Sequence, residues 1–450
     1  MNKESNLIQV EFIYLPVVNF ALQQNRVSVI RLFSIENISD KELKNIKINL
    51  QIEPDFADSI PYMIESIQAH ETVRISDLKL KLSTNFFAQI TERMAGHISL
   101  LISSENETLY QKDYAIDILA FDQWSGISIL PEMLSAFVTP NHPAITSIQK
   151  RATLILEWLT GSPALDEYQS RNPNRVKTQI AALYYAIVEQ EIIYSSVPAS
   201  FESDGQRIRL VDNLLSQKLG TCLDMALLYA SCLEAIGIHP LIIITQGHAF
   251  VGAWLIPDTF PDAVIDDRSF LTKRTAEGNN EIILIEATCM NKGDKISFDE
   301  AVKRANNTLQ TRDFVLALDI KRARFSGIRP LPQRILNGDH WEIKEEEPEM
   351  SEKEMASPEA INPYDLSAFS ADIQVTKQLL WERKLLDLSL RNNLLNTRIT
   401  KNTLQLILAD PDKFEDALAL GFSQSLWTGK THFMTLVYTT RSLLPIPSLI

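Results

Sequence analysis

Apolar and polar positions change their rhythm along this chain of 450 residues. From about residue 8 to residue 122 the rhythm is that of strands. Val27 to Ile35 (VSVIRLFSI) is β-branched and alternating, and Ile46 to Ile52 (IKINLQI) sets an apolar side chain at every second position, as a half-buried strand does. Asn37-Ile-Ser-Asp-Lys between them is rich in turn formers. Val73 to Leu80, Ile98 to Ile102 and Thr108 to Ile118 continue the series, the last two joined by a hairpin turn through Ser103-Ser-Glu-Asn-Glu. Short strands at this spacing, with no long helix between them, predict an all-β sandwich over residues 1–122.

Past Trp124 the period becomes helical. Ile145, Ile148, Ala152, Ile155 and Leu159 fall on one face, as do Val176, Ile180, Leu183, Tyr184 and Ile187. A third helix is expected from near Gly220 to Ala235, followed by buried strands at Leu241 to Thr245, His248 to Ile256 and Ile282 to Glu286. Helices first and strands afterwards predict an α+β domain over 123–335. Residues 342–362 are acidic, contain proline and have almost no large apolar side chain, so 336–371 reads as a linker. From 372 to 450 a partial helical segment is expected, with Trp381, Leu385 and Leu388 on one face and an incomplete element after Phe433. The pattern of the sandwich stretch resembles the immunoglobulin-like accessory domains of bacterial multidomain proteins.

Charge narrows the partners. There are 43 Lys+Arg against 57 Asp+Glu, a net charge of −14, which argues against general affinity for nucleic acid or anionic membrane and leaves a local basic patch open. No apolar run of about 18 residues predicts a membrane span. The opening Met1-Asn-Lys-Glu-Ser-Asn lacks the pattern of a secretory signal, and 3 cysteines do not make a disulfide scaffold, so a cytoplasmic setting is expected. Thr428-Gly-Lys-Thr431 has Gln424 where a phosphate-binding loop has its first glycine, so no ATPase is expected. There is no C-x-x-C or H-x-x-x-H, and neither a metal nor another cofactor is expected.

The chemistry concentrates in Gly220-Thr-Cys-Leu-Asp. Cys222 opens an apolar helix, where free N–H groups and the macrodipole stabilise a thiolate and can hold an oxyanion. Gly237 is placed to end that helix. A following strand can return His248 to the helix start as a base. Glu286 stands among apolar residues, and a lone buried carboxylate needs a partner; orienting His248 supplies one. Gln217 and Thr221 are weaker candidates for an oxyanion or supporting role. Asp224 suits the helix dipole, and Cys232 and Cys289 read as packing residues.

Gly220-x-Cys222, Gly237-Ile238-x-Pro240, Gly247-His248-Ala249-Phe250 and Ile285-Glu286-Ala287-Thr288 together resemble the transglutaminase-like superfamily. The resemblance covers roughly residues 125 to 310 and implies a papain-like core with Cys222 as nucleophile, His248 as base and Glu286 as third member. It implies acyl transfer on a protein or peptide amide, hydrolysis before cross-linking. Two positions depart from the family pattern: Glu286 stands for the usual Asp, and Phe250 for a usual Trp. The segment from Trp381 to Asn396 resembles the start of an uncharacterised domain upstream of superfamily I helicases in large bacterial proteins. That resemblance implies a truncated or split relative of a longer protein, through which alone nucleic acid would be a partner. It also opens an alternative: an inactive protein-binding or regulatory module of a helicase-related DNA-processing or phage-defence protein.

Overall fold

In the computed structural model the described residues are 7–344, without 77, 106, 196–204, 277, 294 and 295, together with the backbone of 424–428 and 432–436. The chain divides into two compact units, Met1–Glu347 and Pro348–Ile450. The first unit is mixed α/β.

Its first part is built from β1 (Ile8–Tyr14), β2 (Val17–Val18), β3 (Ile30–Asn37), β4 (Leu43–Glu53), β5 (Tyr62–Ile67), β6 (Thr72–Arg74), β7 (Met94–Ser104) and β8 (Glu107–Ile118). They form a three-stranded sheet, β1-β3-β6, and a five-stranded sheet, β2-β8-β7-β4-β5, in which only β2 runs parallel to its neighbour. Phe12 of the first sheet lies 4.6 Å from Tyr114 of the second, ring centre to ring centre, and the Tyr14 hydroxyl donates to Ala115 O at 2.7 Å.

Two strands differ from the alternation in the sequence for local reasons. β4 begins at Leu43, ahead of the expected start: Asn45 takes a left-handed φ of 53°, Leu43 and Ile46 on either side of it are both buried, and the pairing with β5 keeps one register across it. The expected strand from Val73 to Leu80 is two pieces. The second, Leu80–Leu82, leaves its sheet and pairs with Ala57–Ser59.

The next part contains α1 (Pro143–Thr160), α2 (Pro173–Val188), β9 (Ile193–Tyr194), α3 (Val211–Gln217), β10 (Leu219–Gly220) and α4 (Cys222–Ala235). After them come β11 (Pro240–Thr245), β12 (His248–Trp254), β13 (Val264–Ile265), β14 (Ile282–Ile285), α5 (Phe298–Thr311) and β15 (Phe314–Asp319). The sheet order is β13-β15-β11-β12-β14, antiparallel throughout. α4 is apolar on nearly every side and accordingly buried on nearly every side. It packs on β11 and β12 and is covered by α1 and α2.

One apolar cluster runs through both parts, from Ile8 to Leu331, so the parts on either side of residue 122 share a core. Residues 336–343, within the stretch read as linker, are ordered. Arg334–Asn337 and His340–Ile343 form a hairpin about Gly338. It returns to the first part: Trp341 N donates to Gln89 Oε1 at 2.9 Å and Arg334 Nη1 donates to Ala88 O at 2.8 Å. The rest of the linker and the helical face at Trp381, Leu385 and Leu388 lie outside the described residues. In the second unit, Gln424–Thr428 pairs antiparallel with His432–Leu436.

Candidate active site

The start of α4 is fixed by a reciprocal cap. Asp224 N donates to Thr221 Oγ1 at 3.2 Å, and Thr221 N donates to Asp224 Oδ2 at 2.9 Å. The Asp224 side chain is fully buried and also accepts from Arg209 N (2.9 Å) and Arg209 Nη1 (3.2 Å). Thr221 and Asp224 therefore hold the helix end in place, and Thr221 has spent both its N–H and its hydroxyl on doing so.

Just before it, β10 pairs in parallel with β9, setting Tyr194 opposite Gly220, and Ser195 N donates to Gly220 O at 2.8 Å. Gly220 is closely confined: a Cβ there would lie 2.5 Å from Leu214 Cδ1. The Cys222 thiol is buried, and it acts on both the Tyr194 phenol and the His248 imidazole, raising the pKa of each.

His248 opens β12 after a two-residue turn in which Gly247 has a φ of 68°. β14 lies alongside β12, with Val251 opposite Ile285, so the residue that follows β14 comes close to His248. That residue is Glu286. His248 Nε2 donates to both carboxylate oxygens, at 3.0 and 2.9 Å. Thr288 N and Thr288 Oγ1 donate to Oε1 at 3.2 and 2.8 Å. The extra methylene of Glu over Asp is accommodated: its carboxylate is held from one side by the imidazole and from the other by Thr288.

Burial would lower the basicity of His248, but hydrogen bonds and charge from Cys222 and Glu286 outweigh it, and its pKa is raised to about 9. Burial would raise that of Glu286, but His248 and Thr288 overcome this and hold the carboxyl below its ordinary value. The two shifts agree on a charged pair. Burial, with the charge of Cys222 and its hydrogen bond, raises the Tyr194 phenol.

Tyr194, His248 and Glu286 line a cleft of about 700 Å³ together with one face of α5; Cys222 is buried and is not itself part of the lining. Cys289 lies in its wall, its thiol pushed up to about 11 by burial and by Glu286. Cys232 is wholly buried in α4 and burial pushes its thiol far up. Gln217 is exposed at the end of α3, where Lys218 takes a left-handed φ of 54°, and like Cys222 it does not line the cleft. Tyr194 is the neighbour of Cys222 that sequence reasoning missed.

Among the described residues no group of three or more His, Cys, Asp or Glu is placed to hold a metal ion, and no helix is long and apolar enough to cross a membrane. Residues 384–439 match the family described as "Protein of unknown function (DUF4011)", in the segment whose sequence resembles an uncharacterised domain. No curated protein matches the chain. Among solved structures, a FixG-related protein from Vibrio parahaemolyticus is similar at 10% identity over 25% of this chain and 96% of that one, with a TM-score of 0.16, too slight a likeness to inform the fold.

Proposed function

We propose that the first unit carries a transglutaminase-like thiol enzyme, acting by acyl transfer on a protein or peptide amide. The observation that supports this best is the buried His248–Glu286 pair at 2.9 Å, whose imidazole also responds to the Cys222 thiol at the N-terminus of α4. In this reading Nε2 is committed to Glu286, which leaves Nδ1 to serve Cys222. The sulfur attacks the amide carbonyl. The oxyanion is met by the first-turn N–H groups of α4, those of Cys222 and Leu223, since the cap takes the Asp224 N–H. The imidazolium then protonates the leaving amine, and a thioester remains. Water entering the open cleft resolves it to an acid, and a primary amine would resolve it to a new amide. Family resemblance favours water.

The two-sheet part fits an immunoglobulin-like accessory domain. The segment matching DUF4011 fits a helicase-associated domain of a longer protein, where a nucleic-acid role would reside. The test is turnover: a peptide and protein library incubated with the full chain, with and without a labelled primary amine, read by mass spectrometry. Cys222→Ala should abolish both hydrolysis and amine incorporation with the fold intact. Turnover retained in that variant would remove the assignment.

A further inference from the structure

The wall of the cleft opposite His248 and Glu286 is cationic. On α5, residues 300, 303, 304, 307 and 308 recur at helical spacing and face the cleft, while Phe298, Ala301, Ala305 and Leu309 face the core. Arg312 continues this wall past the helix end. The cleft holds two carboxylates and both are taken. Glu286 is paired with His248, and Glu300 with Arg304 at 3.2 Å. Lys303 and Arg312 are exposed and have no carboxylate partner among the described residues. Arg312 and Tyr194 line the same cleft, and the Arg312 charge acts on the Tyr194 phenol. In a chain of net charge −14, two uncompensated cations converging on one cleft make a local field opposite to that of the molecule.

We infer that this cleft selects acidic polypeptide: a segment whose carboxylates meet Lys303 and Arg312, with the reacting amide presented to Cys222. The inference rests on the acyl-transfer reading and names its substrate class. An acyl-transfer site needs an amide to act on, which favours polypeptide over nucleic acid. Arg304, already bonded to Glu300, stiffens the wall and adds little net charge.

Two small alkylating agents separate this inference from the reading beneath it. Iodoacetate and iodoacetamide both form a carbon–sulfur bond with a thiolate and expel iodide, but only iodoacetate is an anion. The rate of each at Cys222 is followed in the full chain by mass spectrometry, and their ratio is divided by that for glutathione. The expected ratio at low salt is about five-fold or more above glutathione, from one to two charges acting across a wet cleft. It should fall toward one near ~0.5 M salt, where screening is strong, and also in Lys303→Gln/Arg312→Gln. A normally reactive Cys222 with a ratio equal to glutathione overturns the inference and leaves acyl transfer standing. A Cys222 inert to both reagents overturns acyl transfer itself. The cleft is then read directly, by fluorescence anisotropy of a labelled glutamate-rich peptide and of labelled oligo-dT. Tighter peptide binding, lost in Lys303→Gln/Arg312→Gln, supports anionic-polypeptide selection, and tighter oligo-dT binding overturns it.

Discussion

Replacing Glu286 by Gln removes one charge from the buried pair and keeps an acceptor for His248 Nε2. The consequence is legible in stability against pH. An unperturbed histidine titrates near ~6.5, and His248 titrates at about 9 in the fold. A histidine raised in this way stabilises the fold fully below its unfolded pKa. That contribution declines as pH rises and is gone above about 9. The gap corresponds to on the order of 3 kcal/mol. The His248 side chain is only 11% exposed, so solvent does little to weaken it. Glu286, held low, adds stability above the ordinary carboxylate range and loses it only in acid, outside this window. For a unit of this size the unfolding entropy is about 0.7 kcal/mol/K, so His248 alone should cost about 4 °C of Tm between pH 6 and pH 9. In Glu286→Gln the imidazole keeps the support of Cys222 and loses the charge of Glu286, and that share of the decline should disappear while the other titrating groups keep theirs. Differential scanning calorimetry of both proteins across this range measures the difference. Parallel Tm curves would falsify the charged pair.

The cap at Cys222 is open to the same treatment. Thr221→Ala should cost about 1 kcal/mol by chemical denaturation. Asp224→Ala, which strands Arg209 and two N–H groups around a fully buried site, should cost about 2–4 kcal/mol; equal, near-zero effects would mean that the cap does not hold the helix. Gly237, at a φ of 80° beyond α4, should tolerate Ala poorly, by about 1 kcal/mol or more. A Cβ there would also meet the Glu167 carboxyl, and a neutral result would place the helix end elsewhere. Tyr194→Phe removes a hydroxyl donor from beside the Cys222 sulfur and should slow its alkylation several-fold at neutral pH with Tm unchanged. An unchanged rate would show that the phenol is a bystander.

The parts of the site legible in the sequence are those written in local pattern. Cys222 stands at the junction between a capping Thr221 and an apolar run, and α4 begins there. His248 and Glu286 lie at the ends of two apolar strands, and antiparallel pairing of β12 with β14 brings those ends together. What was not legible depends on contacts without period. Tyr194 reaches Cys222 through a ladder of two residues on each side, Ile193–Tyr194 with Leu219–Gly220, too short to leave an alternation. Gln217 was expected near the nucleophile from sequence distance alone, and it is exposed at the end of α3, beside the left-handed Lys218. β15 (FVLALD) did carry a readable signal. Its apolar run fills the sheet position between β11 and β13. The shared core around residue 122 could not be read, because strand alternation and helix periodicity describe each part alone and say nothing of the face between them.

The most direct test of the thiol site is the pH dependence of Cys222 alkylation by iodoacetamide, in a protein with Cys232 and Cys289 replaced by Ser. The expected result is rapid modification already at pH 6 to 7, where ordinary thiols of pKa ~8.5 are protonated, slowed at least ~10-fold by His248→Ala. A profile that tracks glutathione and ignores His248→Ala would contradict an activated thiolate at the head of α4.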